Sequence, residues 1–189
     1  MKKRLFLTGP IGCGKSTVLL KALGPDLIRH AGGFLTVRRR HADGTPADFV
    51  LMDPAGKEMQ VFLDLTDSQP RVDMTVFSGM GVALLNRAVN APFVVLDEIG
   101  GMELQCPEFM AALTRLLRSD VPIIGVLKTS ESAFQMEKTI GGNGAFQADS
   151  QTLTAALSAY PDTHIQSCVP HTKAALQLAK NWVEEYAHA

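Results

Sequence analysis

The sequence predicts an α/β fold, built from strand–helix units around a phosphate-binding loop and carrying an inserted antiparallel β-meander. Three observations lead there. A short apolar strand, Leu5-Phe6-Leu7-Thr8, runs into a glycine-rich loop and then a helix. A second apolar strand, Phe93-Val94-Val95-Leu96, ends in the acidic pair Asp97-Glu98. Between them, residues 34–63 hold apolar runs separated by turn signals, a pattern of hairpins rather than crossovers. At 189 residues one domain spanning 1–189 is expected.

The loop is Gly9-Pro10-Ile11-Gly12-Cys13-Gly14-Lys15-Ser16-Thr17, which fits G-x-x-x-x-G-K-[ST]. Its glycines let backbone N–H groups approach phosphate oxygens closely. Lys15 is placed to reach β- and γ-phosphates, and the Ser16 hydroxyl to ligand Mg²⁺. The helix that starts here adds unpaired N–H groups and its positive dipole end. All nine residues are therefore read as nucleotide-binding, with Lys15 also catalytic and Ser16 also metal-binding. Val18, Leu19, Leu20, Ala22 and Leu23 make the helix, and Gly24-Pro25 are stop signals. Cys13 sits beside the helix N-terminus, where a thiol's pKa can fall; the alternative is that it points into the core.

Gly32-Gly33 break the chain before a strand at Phe34–Arg40. Asp43-Gly44 turns it back into Phe49–Asp53, and a turn at Pro54–Lys57 precedes a third strand at Met59–Leu63. In the basic run Arg38-Arg39-Arg40-His41, alternation puts Arg38 and Arg40 on one face and Arg39 on the other. The run is read either as the charged end of an exposed hairpin or as a source of an arginine for a nucleotide phosphate, with Arg40 the candidate.

Residues 74–90 are read as a helix that Gly79 and Gly81 weaken. The strand ending in Asp97-Glu98 is expected to lie beside the first strand, with its C-terminal end open to the phosphate loop. Asp97 is then the metal residue, acting on Mg²⁺ through water, and Glu98 the base that orients and deprotonates the attacking water. Ile99–Leu104 is expected to be a flexible turn. Cys106 caps a helix with Pro107 at its first position, buried along Met110, Leu113, Leu116 and Leu117. Val121–Leu127 is a further buried strand, and at its end Lys128-Thr129 offer either a γ-phosphate contact or a helix cap. Ser130–Gln151 has no clear periodicity, and Gly141-Gly142-Asn143-Gly144 reads as a mobile loop. His164–Val169 is a final strand, and Ala175, Leu178, Ala179, Trp182, Val183 and Tyr186 mark a final helix.

Composition bounds the rest. A net charge of −1 argues against a mainly electrostatic nucleic-acid binder. No apolar run reaches membrane-spanning length, and the basic N-terminus does not read as a signal peptide. Three widely spaced cysteines suit a reducing cytoplasm and lack zinc-site spacing. The five histidines form no ligand pair, so no metal other than Mg²⁺ is read.

Taken together, these motifs resemble a known family, the small cancer-related nucleoside-triphosphatases found from archaea to animals. Leu7-Thr8-Gly9-Pro10 through Ser16-Thr17 resembles its LTGPPGxGKTT loop. Gly33-Phe34-Leu35-Thr36 through Arg40, then Phe49 and Asp53, is similar to its GFYTxEVR…GF…D signature. Leu96-Asp97-Glu98-Ile99-Gly100-Gly101-Met102-Glu103-Leu104 is similar to its DEIGKMEL box, the most specific of the three. The resemblance covers residues 3 to about 127. It implies a three-layer P-loop NTPase, a RecA-like and mostly parallel sheet with helices on both faces. It also implies slow Mg²⁺-dependent hydrolysis of several nucleoside triphosphates. By position it carries roles onto Lys15, Ser16, Asp97 and Glu98, and more weakly onto Arg40 and Glu103. Two departures stand out: Gly101 takes the place of the family's usual lysine, and the tail after Lys128 is poor in basic residues.

Hydrolysis of ATP, GTP and other triphosphates by water is thus the leading expectation. A nucleotide or small-molecule kinase shares the loop and fold, but the segment from Lys128 onward lacks the arginines with which such kinases cover phosphates. Arg38, Arg40, Arg71 and Arg87 remain available to an acceptor. A nucleotide-dependent switch that binds a protein partner is the third reading.

Overall fold

The computed structural model describes residues 1–142, 144–168 and 173–187. Its centre is a mixed sheet of eight strands. In chain order these are β1 (Arg4–Thr8), β2 (Gly32–Arg40), β3 (Pro46–Met52), β4 (Met59–Asp64), β5 (Arg71–Val72), β6 (Val94–Ile99), β7 (Ile123–Leu127) and β8 (Thr163–Ser167). Across the sheet they lie in the order β5-β4-β3-β2-β6-β7-β1-β8. The run from β2 to β8 is parallel throughout, whereas β2 to β5 form an antiparallel meander. The helices are α1 (Lys15–Ile28), α2 (Val82–Ala88), α3 (Pro107–Arg118), α4 (Ser130–Ile140), α5 (Phe146–Ala159) and α6 (Lys173–Tyr186).

Period-two alternation sorts the strands' side chains into two cores, one on each face. On one face Leu5 and Leu7 of β1, Val95 of β6 and Ile124 and Val126 of β7 pack with α1 and with Trp182 of α6. On the other, Phe6, Val94, Leu96 and Ile123 meet α2, α3 and α5. Three layers result, as expected. The second core contains a chain of rings in contact, Phe34–Phe109–Phe77–Phe62–Phe49, with centroids 5.0–6.1 Å apart. Such pairs add to simple burial and hold one another's orientation.

Several local expectations need correction. β6 does not lie beside β1, because β7 stands between them. β7 is buried along its whole length, and at Gly125 an added Cβ would come within 2.5 Å of the Leu96 carbonyl, so only a bare backbone fits there. Gly32 and Gly33 are the first rungs of β2 rather than a break. A Cβ on Gly33 would come within 2.0 Å of the Val95 carbonyl, and its φ of +92° suits glycine. Gly24, at φ 70°, kinks α1, and a short turn continues to Ile28. The helix over 74–90 contains a π-turn at Phe77–Gly81, where Gly81 packs against the ring of Phe109.

Ile99–Leu104 is not a loose turn, since Met102–Gln105 form a buried 3-10 turn. In α3, Phe109 is buried whereas Met110 is half-exposed. The stretch without clear periodicity holds α4 and α5. Buried Glu137 ties their connection, accepting from the N–H groups of Gly144, Ala145 and Phe146. Asn143 and Val169 lie outside the described residues. No described helix is long and apolar enough to cross a membrane.

Candidate active site

The phosphate loop leaves the C-terminal end of β1 and feeds α1, whose N-cap is Gly14 in the left-handed conformation. Gly9 opens the loop at φ +147°, and a Cβ there would stand 3.0 Å from the Cys168 carbonyl that follows β8. Glycine is what lets the loop start so close to its neighbour. Lys15 is buried, and its Nζ donates to the carbonyls of Gly9 (2.9 Å) and Pro10 (3.0 Å). Ser16 Oγ donates to Asp97 Oδ1 at 2.9 Å. Cys13 is half-buried and packs towards the α1-side core near Cys168.

Strict alternation would send Asp97 and Glu98 to opposite faces of the sheet. Instead the β6–β7 register shifts between Asp97 and Ile99, leaving Glu98 out of the ladder. A bulge of this kind re-aims a side chain. Both carboxylates consequently line one cavity of about 580 Å³, together with Gly12, Gly14, Lys15 and Ser16 of the loop. Ile11, Thr17 and Arg40 border it too, while Gly9, Pro10 and Cys13 do not.

Glu98 is held between two ammonium groups. Lys128 Nζ is 2.6 Å from Oε2 and Lys15 Nζ 3.9 Å from Oε1. Lys128, at the end of β7, is itself buried. Its Cε and Cδ would lie 3.0 and 3.7 Å from a Cβ on Gly101. The lysine stem thus fills the space that a side chain at position 101 would enter. Thr129 is the N-cap of α4, accepting from Ser132 N–H, so the capping role falls to it and the site contact to Lys128.

Asp97 carries a carboxyl pKa raised to about 7, mainly by burial, with repulsion from Glu98 adding and the Ser16 hydrogen bond and the two lysines opposing. Glu103 is also pushed upward by burial. Its Oε1 accepts from the N–H groups of Gly100 (2.5 Å) and Gly101 (2.9 Å). It clamps the turn after β6 and does not line the cavity of about 580 Å³.

Arg40 lies at the cavity rim and donates to the Gly44 carbonyl of its own hairpin at 2.6 Å. Arg39, on the opposite face, pairs with Asp48, the hairpin role foreseen for the run. Arg38 shares the face of Thr36 and Arg40 and enters the cavity. Burial lowers its pKa, Arg40 lowers it further and Glu98 opposes this. The Lys128–Glu98 pair carried no sequence signal, since 30 residues and a helix separate the two. Lys128 was legible only as a polar strand end.

The family described as NTPase matches residues 4–144. The nucleoside-triphosphatase THEP1 of Methanosarcina barkeri is 34% identical over 137 residues, 68% of this chain and 78% of that protein. The THEP1 of Thermofilum pendens is 34% identical over 140 residues, 69% and 76% of the two chains. In fold, the crystal structure of THEP1 from Aquifex aeolicus superposes with a TM-score of 0.69 at 17% identity, covering 98% of this chain and 99% of that one. The solution structure of a human cancer-related nucleoside triphosphatase does so at 0.61 and 19%, covering 96% and 95%. The fold likeness thus extends through α5, β8 and α6, beyond the stretch the family match spans. On the strength of that match and of relatives sharing a third of their aligned residues, this chain belongs to the THEP1-type nucleoside-triphosphatase family.

Proposed function

We propose that this protein hydrolyses nucleoside 5'-triphosphates, ATP and GTP among them, to the diphosphate and inorganic phosphate with Mg²⁺ bound. The observation that carries this is the facing of Glu98 and Asp97 against Lys15 and Ser16 across one cavity. The Ser16 hydroxyl and the Asp97 carboxylate suit Mg²⁺, a hard cation that takes oxygen ligands and keeps several waters. Asp97 is buried and accepts from the neutral Ser16 hydroxyl, a carboxylate that a cation would satisfy. Ser16 would hold the ion directly and Asp97 through water. When bound, it neutralises charge on the β- and γ-phosphate oxygens.

The chain's own groups do the rest. Loop N–H groups and Lys15 orient the phosphates, Lys15 exchanging its Gly9 and Pro10 carbonyls for phosphate oxygens. Glu98 takes a proton from the water as its oxygen bonds to the γ-phosphorus. The bond from that phosphorus to the β–γ bridging oxygen breaks, and the diphosphate leaves. Lys128 holds the Glu98 carboxylate in place through their ion pair.

Phosphate release from Mg-ATP and Mg-GTP, with binding measured by calorimetry, tests the reading. Lys15→Ala is expected to weaken Mg-ATP binding at least tenfold, because it removes the charge that meets the β- and γ-phosphates. Unchanged affinity would place the phosphates elsewhere.

A further inference from the structure

The cavity reaches beyond the phosphate loop and the acidic pair. A triphosphate held by the loop comes from the β1 side of the sheet and ends at Asp97 and Glu98. The order β2-β6-β7-β1 places β2, β3 and β4 beyond that point. An attacking water there needs only about 30 Å³. The cavity nevertheless continues over the meander, with Pro46, Phe49, Leu63 and Leu65 on one wall and Gln135 and Met136 of α4 on the other.

Arg38 stands in this extension. Its guanidinium carbon lies over the Phe49 ring, 4.7 Å from the centroid. Phe49 is held in turn by Phe62, the next ring of the aromatic chain. The arginine has no hydrogen bond or ion pair to a described residue, in contrast to Arg39, which binds Asp48 through two nitrogens. The ring covers the face of the guanidinium and leaves its five N–H donors unspent. An exposed guanidinium stacked on a ring is placed in advance for a carboxylate or phosphate, and its position spares part of the ordering cost of binding. The apolar walls suit a flat, carbon-rich body.

We propose that this extension is a second binding site, taking a small ring-bearing acid whose carboxylate or phosphate is held by Arg38 while its ring lies against Phe49, Leu63 and Leu65. The proposal rests on the triphosphate occupying the loop end. Phenyl phosphate is the probe, titrated calorimetrically into protein saturated with Mg-ADP. Wild type is expected to bind it, and Arg38→Gln to bind it at least tenfold more weakly. Arg39→Gln should match wild type. Mg-ADP affinity and ATP turnover without the probe should stay within about twofold in Arg38→Gln. No binding of phenyl phosphate to the ADP complex would overturn the proposal. So would a loss of turnover in Arg38→Gln without the probe, since Arg38 would then serve the triphosphate itself. If Mg-ADP fails to bind wild type, the loop reading has failed instead. In that case wild type against Arg38→Gln, titrated without nucleotide, still decides the second site.

Discussion

Lys128 Nζ sits 2.6 Å from Glu98 Oε2, and the two residues close one side of the cavity that the phosphate loop opens on the other. The pair is partly buried, with side-chain exposures of 10% and 24%. Such an ion pair fixes the direction of the carboxylate that is to receive a proton.

Lys128→Ala should therefore reduce turnover by about ten- to a hundredfold, roughly 1.4–2.7 kcal/mol of barrier. Without it, Lys15 becomes the nearest cation to Glu98 and competes less well for phosphate, so Mg-ATP affinity should fall a few-fold. Steady-state rates and calorimetry on the same preparation check this. Wild-type turnover in Lys128→Ala would show that the pair merely fills space.

Position 101 gives a second handle on the same cation. A side chain added to Gly101 would meet Lys128 Cε at 3.0 Å and Glu103 Oε2 at 3.2 Å. Gly101→Lys alone should crowd the turn and lower the melting temperature by several degrees. Combined with Lys128→Ala it has room, and the double variant should recover at least a third of wild-type turnover. Additive losses in the double variant would refute the idea that the two positions share one space.

Glu98→Gln keeps the side chain's size and removes its capacity to accept a proton as a carboxylate. The rate should drop by about 10²–10⁴ while Mg-ATP still binds. Single-turnover phosphate release, which separates chemistry from product release, is the measurement. Hydrolysis within about threefold of wild type would assign the base elsewhere, and Glu103, whose Oε1 accepts from Gly100 and Gly101, is the next residue to test.

Asp97 makes stability depend on pH in metal-free protein. Its carboxyl titrates near 3.8 when unfolded and about 7 when folded. Between those values the folded protein holds a proton that the unfolded chain has released. Stability is therefore full below about pH 4, falls as pH rises to about 7, and is level above. From pH 5 to 7.5, in EDTA, wild type should lose roughly 2–3 kcal/mol more than Asp97→Asn. Urea unfolding at both pH values supplies the comparison, and equal losses would mean that Asp97 stays ionised in the fold.

The chemistry was legible where it depends on local spacing. G-x-x-x-x-G-K-[ST] must wrap a phosphate within eight residues, so the loop from Gly9 to Ser16 and the helix after it could be read directly. The apolar strand ending at Asp97-Glu98 and the meander's turns were legible for the same reason, since alternation and turn residues act over a few positions. What the tertiary structure decided depends on strands far apart in sequence. β7 lies between β1 and β6, where a bare Gly125 lets it pack against Leu96. The register shift at Glu98 brings both carboxylates to one cavity, against the alternation the strand predicts. Lys128 reaches Glu98 through the space that Gly101 leaves empty, and Arg38 is placed by an aromatic ring 11 residues away on the partner strand. Hydrophobic periodicity records which face a residue takes, but not which strand becomes its neighbour. Packing settles that, and with it which charges meet.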